Sequence, residues 1–141
     1  MSDLVLDASV ALAWCFSDER EAYADAVISY LKNHIAVVPA LWFFEVANGI
    51  AVAERRGRIP PPEIARVINL IAPLAIRFDS DLTILHTIAN VVRLAQRTKL
   101  PAYDAAYLEL AIRLGLPLAT VDRALRRAAI DNDVEAFSPE S

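Results

Sequence analysis

The chain has 141 residues, of which 56% are hydrophobic, so it can form one domain with a complete hydrophobic core. No apolar run reaches the roughly 20 residues that span a bilayer, the N-terminus lacks a secretory signal, and the lone Cys15 excludes an internal disulfide. We therefore expect residues 1–141 to form a single cytoplasmic domain with no membrane association. The net charge of −4 gives no overall support to nucleic-acid binding.

Short apolar segments alternate with amphipathic ones along the chain. The pattern predicts strands at 4–7, 35–38, 75–78, 117–121 and 134–137. It predicts helices at 8–16, 18–32, 40–56, 60–74, 79–98, 101–114 and 122–129. Such alternation is typical of parallel βαβ units, so we predict an α/β fold, a three-layer sandwich with a parallel sheet between helices.

Basic residues are concentrated in three local groups, although the chain as a whole is acidic. Most of the 14 are arginines, whose planar forks suit phosphate groups. The groups are Arg55, Arg56 and Arg58; Arg93, Arg97 and Lys99; and Arg123, Arg126 and Arg127. Solvated helix faces explain any single group at least as well as phosphate binding does.

Most acidic residues have ordinary structural explanations. Those that occupy the first turns of predicted helices are Asp18, Glu19, Glu21, Asp79 and Asp81. Glu109 and Arg113 are four residues apart, which predicts an ion pair on a helix surface. Four other acids, Asp7, Glu45, Asp104 and Asp122, are harder to explain in this way.

Glu45 and Asp104 are predicted to lie on apolar helix faces. Glu45 is surrounded along its helix by apolar residues, and its only polar companion one turn on is Asn48. An unpaired carboxylate buried there would cost several kcal/mol, which favours a lined cavity over a solvated face. Asp104 shares its face with Tyr107 and Leu108, so it is expected to point inward from a helix N-terminus.

Asp7 and Asp122 each follow an apolar strand directly and precede a helix. N-capping is a real alternative for both and, for Asp122 taken alone, the better explanation. In an open parallel sheet, however, strand ends and the helix starts that follow them share the edge where ligands bind. Four carboxylates at that edge repel one another, and a hard divalent cation, Mg²⁺ or Mn²⁺, relieves the repulsion.

Nearby hydroxyl and amide groups extend the candidate site, and no other catalytic motif competes with it. Ser9 and Thr120 lie two residues from Asp7 and Asp122, and with Asn48 they are candidates for contacts to substrate. The two histidines are isolated, and the chain contains no phosphate-binding glycine loop or nucleophile elbow.

Four segments together resemble the PIN-domain family, and most closely its VapC-type toxins of bacterial toxin–antitoxin pairs. They are LVLDAS at residues 4–9, Pro39 followed by Glu45 and Asn48, LPAYDAAYLELA at 100–111, and GLPLATVD at 115–122. The segments span nearly the whole chain in the family's order.

The resemblance implies a five-stranded parallel sheet, a homodimer, and Mg²⁺- or Mn²⁺-dependent cleavage of RNA by a toxin that a cognate antitoxin protein holds inactive. It implies that Asp7, Glu45, Asp104 and Asp122 form the catalytic acidic site, with Asp7 and Asp104 as metal ligands. Ser9 and Thr120 would lie beside that site.

Two other functions remain open from the sequence. A phosphoryl-transfer domain of phosphatase or receiver type also places acids at strand ends, but Ser9 stands where the phosphatase arrangement uses a second acid. A catalytically silent module that binds RNA or protein would be favoured by a missing carboxylate, and none is missing.

Overall fold

A short parallel sheet lies between helices in the computed structural model of the chain, which describes residues 3–16, 22–80 and 83–139. The strands are β1 (Leu4–Leu6), β2 (Ala36–Val38), β3 (Ile76–Phe78) and β4 (Leu118–Ala119). The helices are α1 (Ala8–Cys15), α2 (Ala22–Leu31), α3 (Leu41–Arg55), α4 (Pro61–Ile71), α5 (Ile84–Thr98), α6 (Ala102–Leu114) and α7 (Arg123–Asp131). The order of elements follows the predicted alternation.

The strands pair in the order β3-β2-β1-β4, and every pairing is parallel. This confirms the predicted α/β fold with a parallel sheet flanked by helices. The prediction of five strands is wrong, because the described residues form a four-stranded sheet. The segment at 134–137 makes only an isolated parallel bridge between Ala136 and Leu118, in which Leu118 donates to Glu135 and accepts from Phe137.

The core forms around β1, which lies in the interior of the sheet. Leu4, Val5 and Leu6 are completely buried, because helices cover both faces of a parallel sheet. Helix α6 packs against β1, α5 and α7, while α1 packs against α2 and α3. Gly115 ends α6 with φ +66°, a left-handed conformation that glycine adopts without steric cost. Among the described helices, none has the length and apolar character needed to cross a bilayer.

One of the ordinary explanations for acidic residues is wrong and another is only partly correct. Asp79 does not cap α5, which begins after Thr83; its carboxylate instead accepts a hydrogen bond from Arg113 at 2.5 Å. The predicted ion pair between Glu109 and Arg113 is confirmed at 2.7 Å, but Glu109 is buried rather than at the helix surface. Asp81 and the acids at 18–21 lie outside the described residues.

Candidate active site

Asp7 is the most buried carboxylate at the C-terminal edge of the sheet. Its backbone N–H donates to the carbonyl of Ala119 at 3.0 Å, which holds the end of β1 against the end of β4. The side chain is only 5% exposed. Its Oδ2 accepts hydrogen bonds from the hydroxyls of Ser9 at 2.5 Å and Thr120 at 2.7 Å. Asp7 precedes α1 but makes no side-chain capping bond, so capping does not explain it.

Asp122 lies beside Asp7 and is linked to it through Thr120. The backbone N–H of Asp122 donates to the Thr120 hydroxyl at 3.0 Å, and that hydroxyl donates to Asp7. One carboxylate oxygen of Asp122 accepts from the backbone N–H of Leu125 at 2.9 Å, so Asp122 caps α7. The capping explanation is therefore correct for Asp122. The same side chain also lies near enough to Asp7 and Asp104 to interact with their charges. We call this part of the sheet edge, with Asp7, Glu45, Asp104 and Asp122, the acidic edge.

Glu45 reaches this edge from α3, which follows β2. Its Oε1 accepts a 2.5 Å hydrogen bond from the hydroxyl of Tyr107, a residue of α6 that is completely buried. Helix α3 can lie close to α1 because Gly49 has no side chain. A Cβ atom at that position would collide with the side chain of Leu12.

Asp104 lies in the first turn of α6 and is partly buried. Its carboxylate makes no hydrogen bond to any other residue that the structure describes, in contrast to Asp7, Glu45 and Asp122. Asp7 and Asp122 lie near enough to interact with its charge. Asp104 thus presents an uncompensated carboxylate to the other acids.

The electrostatics show that the acidic side chains repel one another. Burial raises the pKa of Asp7 above its ordinary value, and the charge of Asp122 adds to this, while the Ser9 and Thr120 hydroxyls oppose it. Burial also raises the pKa of Glu45, with further contributions from Asp7 and Asp104. For Asp104, burial and then the charges of Asp7 and Asp122 raise the pKa. A positive charge at this edge would favour the ionised carboxylates and so oppose each of these pKa shifts.

The donor chemistry of the edge fits a hard divalent cation. The available donors are carboxylate and hydroxyl oxygens, the ligands that Mg²⁺ and Mn²⁺ prefer. Within residues 3–16, 22–80 and 83–139, no three Asp, Glu, His or Cys side chains converge closely enough to enclose one ion. Mg²⁺ does not require such an enclosure, because it keeps several waters and binds proteins through one or two carboxylates.

Sequence reasoning placed Asn48 correctly on the helix but missed Tyr107. Asn48 is exposed one turn after Glu45, so it borders the acidic edge without joining its hydrogen bonds. Tyr107 was expected only as a core neighbour of Asp104, yet its hydroxyl is the hydrogen-bonding partner of Glu45. A buried tyrosine hydroxyl requires a polar partner, and that requirement was the available signal.

The sequence profile of the PIN domain matches residues 4–131, which include all four carboxylates. The chain belongs to the PIN-domain family. It is also 32% identical over 127 residues to a protein named Ribonuclease VapC3 from Pyrobaculum aerophilum, covering 86% of this chain and 91% of the relative. These findings confirm the resemblance to PIN domains and to VapC-type proteins.

A solved structure supports the same assignment of the fold. The crystal structure of PAE2754 from Pyrobaculum aerophilum superposes with a TM-score of 0.65 and 25% sequence identity. The match covers 90% of this chain and 79% of that chain. The PIN domain thus accounts for nearly all of the chain described here.

Proposed function

We propose that this PIN domain is a Mg²⁺- or Mn²⁺-dependent endoribonuclease that hydrolyses RNA phosphodiester bonds, and that it acts in the cytoplasm as the toxin of a toxin–antitoxin pair. The relative named Ribonuclease VapC3, similar over most of both chains, supports the reaction class. The toxin role follows from the same similarity.

The single observation that carries the proposal is the crowding of Asp7, Glu45 and Asp104, together with Asp122, at one edge of the sheet. Burial and mutual repulsion raise the pKa of each of the first three. A protein that needed only stability would gain by replacing these acids, so a ligand of opposite charge is the natural explanation.

Each side chain has a proposed role that follows from its surroundings. Asp7 and Asp104 hold the cation, since Asp7 is fixed by two hydroxyls and Asp104 lacks a hydrogen-bonding partner among the described residues. When bound, the cation supplies charge stabilisation at the scissile phosphate and a more acidic water. Glu45 or Asp122 orients or deprotonates the attacking water.

The remaining polar side chains position these acids or contact the substrate. Ser9 and Thr120 fix the rotamer of Asp7 through hydrogen bonds to one oxygen, which leaves its other oxygen available as a ligand. Ser9, which is partly exposed, can also meet a substrate phosphate. The predicted substrate contact of Thr120 does not fit the structure, because Thr120 is buried and its hydroxyl is already bonded to Asp7 and to the backbone of Asp122. Asn48, exposed beside Glu45, is suited to hydrogen-bond a sugar or base of the RNA.

We further propose that the chain forms a homodimer and binds a cognate antitoxin. Large apolar side chains at the surface support this, among them Phe44 at 76% and Leu85 at 83% exposure. An apolar groove of about 470 Å³ also runs between α3 and α4. Trp42, which lines this groove, is almost completely buried, and its indole N–H has no acceptor among the described residues.

Cleavage of a single-stranded RNA over a titration of Mg²⁺ and Mn²⁺ tests the proposed function. We expect cleavage that a chelator abolishes and that Asp7→Asn and Asp104→Asn remove. Phosphate release from small phosphomonoesters, without RNA cleavage, would instead indicate a phosphatase. RNA binding that needs no metal and leads to no cleavage would indicate a binding module.

A further inference from the structure

A groove lined by basic side chains lies along α5, outside the acidic edge itself. It consists of two adjoining cavities that share Arg97: one of about 360 Å³ between α5 and α6, and one of about 580 Å³ between α5 and α7. Their basic side chains are Arg93, Arg97, Lys99, Arg113 and Arg127. The acidic ones are Glu109 and Asp131. The groove is therefore net positive on a chain whose net charge is −4.

The positive charge of the groove is only partly compensated by the protein. Glu109 and Asp79 both pair with Arg113, and Asp131 lies 3.5 Å from Arg127. Arg93 and Arg97, by contrast, donate to the neutral amides of Asn90 and Asn132, and no described carboxylate forms an ion pair with either of them. These two arginines are four residues apart on one face of α5, where like charges destabilise a helix. An anionic ligand would offset this repulsion.

One end of the groove is lined by residues that are close in sequence to the candidate active site. Leu100 and Ala124 line the larger cavity. Leu100 lies four residues before Asp104, and Ala124 lies two residues after Asp122. An RNA strand that left the acidic edge past the starts of α6 and α7 would meet Lys99 and Arg127 first, and then Arg97 and Arg93.

We propose that this groove binds the phosphate backbone of single-stranded RNA on one side of the scissile bond. The inference rests on the proposed ribonuclease function and adds to it the surface that holds the substrate. A guanidinium group can bind a phosphodiester through two parallel hydrogen bonds. Because the arginines are spaced along a groove, they suit a flexible strand with several phosphates better than a single compact anion. Contacts of this kind are to phosphates, so the groove contributes affinity and not sequence preference.

The test compares Arg93→Gln/Arg97→Gln with the matched control Arg55→Gln/Arg56→Gln. Both double variants remove two positive charges from exposed helix positions, but the control pair lies at the end of α3. The probe is a fluorescently labelled single-stranded RNA, with anisotropy measured in a chelator so that no cleavage occurs. Cleavage of the same RNA with Mg²⁺ is measured separately.

We expect the groove variant to bind RNA more weakly by roughly 5-fold for each lost phosphate contact, with little change in the control. The slope of log affinity against log salt should become shallower by about 1.4, since each contact to a single strand contributes about 0.7. In cleavage, KM should rise while kcat stays close to the value of the unaltered protein. Thermal unfolding should show equal or slightly higher stability, because a like-charge pair is removed.

Equal weakening of RNA binding in both double variants would overturn the proposed RNA-binding groove, because it would show a general charge effect. Unchanged RNA affinity in the groove variant would also overturn it. Binding of an acidic polyglutamate peptide, measured in parallel, would show whether the groove takes an acidic peptide instead, in which case the variant loses the peptide and keeps the RNA. A chain that binds RNA in this pattern but never cuts it would contradict the proposed function and leave the groove standing. Cleavage with an unchanged KM in the groove variant would contradict the groove and leave the function standing.

Discussion

The hydroxyl of Tyr107 on α6 donates a 2.5 Å hydrogen bond to Oε1 of Glu45 on α3. This bond joins two residues that are 62 positions apart in the chain, and it opposes the effect of burial on the pKa of Glu45. It also ties the side chain of Glu45 to the helix that carries Asp104. The position of Glu45 at the acidic edge is therefore fixed by a buried aromatic residue and not by the other acids.

Tyr107→Phe should shift the pH dependence of RNA cleavage towards alkaline values. Without the hydroxyl, the ionised form of Glu45 loses its donor, so the pKa of Glu45 rises further. We expect the acidic limb of a kcat/KM profile between pH 5 and 9 to move upwards, with a cost of about 1 kcal/mol in unfolding free energy. A loss of stability with an unshifted profile would show that Tyr107 only supports the fold.

Thr120→Val should damage both the site and the fold, because one buried hydroxyl makes two connections. It donates to Asp7 and accepts from the backbone N–H of Asp122. Valine keeps the shape but leaves that N–H without its acceptor, so we expect a loss of about 1–3 kcal/mol in urea denaturation and a large loss of cleavage. Thr120→Ser is the matched control, and it should retain most of the activity. Equal activity of the two variants would exclude a role for the hydroxyl.

Asp104→Asn should move stability and activity in opposite directions. The substitution keeps the side-chain shape and removes one charge from a repelling set, so metal-free stability should hold or rise slightly. Cleavage should fall by about 100-fold or more as metal affinity is lost. If Asp104 only complements the dipole of α6, the variant should instead lose about 0.3–1 kcal/mol and cut RNA normally.

The stability of the metal-free protein should decrease as the pH rises. The folded-state pKa values of Asp7, Glu45 and Asp104 are all raised, so the fold favours their protonated forms. Their contribution is fully present below the ordinary carboxyl pKa of about 4 and is lost as the pH passes through the raised values. Mg²⁺ should reverse this trend by binding the ionised carboxylates.

Urea denaturation in a chelator and in Mg²⁺, at intervals from pH 4 to pH 8, measures this effect. The difference between the two conditions should grow as the pH rises. Asp104→Asn, measured in parallel, should show a smaller dependence in the chelator. Identical profiles with and without Mg²⁺ would remove the metal from the proposed site.

Light scattering at high micromolar concentration should give a mass twice that of the 15.5 kDa chain. The expectation rests on the exposed apolar side chains of α5, where Leu85, Ile88 and Val92 lie within two turns and are about half exposed or more. Ile88→Glu should lower the dimer population if this face is buried between subunits. A stable monomer of the unaltered chain would contradict the homodimer.

The sequence by itself determined the order of the elements and the position of two acids at strand ends. Asp7 and Asp122 were placed at one edge because parallel strands that alternate with helices all end on the same side. The inward direction of Asp104 followed from helical periodicity, since Tyr107 and Leu108 on the same face are core residues, and that of Glu45 from the apolar residues that surround it along its helix. These are local rules, and each needs only a short stretch of the chain.

Tertiary structure decided which of these groups touch. The bond from Tyr107 to Glu45 and the bonds from Arg113 to Asp79 and Glu109 join residues whose separation in the chain carries no periodic signal. The segment at 134–137 forms only an isolated bridge between Ala136 and Leu118, and the pattern of apolar residues in that segment does not reveal how far it pairs with β4. Which polar groups meet in a folded protein depends on how helices pack, and packing distances are not encoded in any single segment.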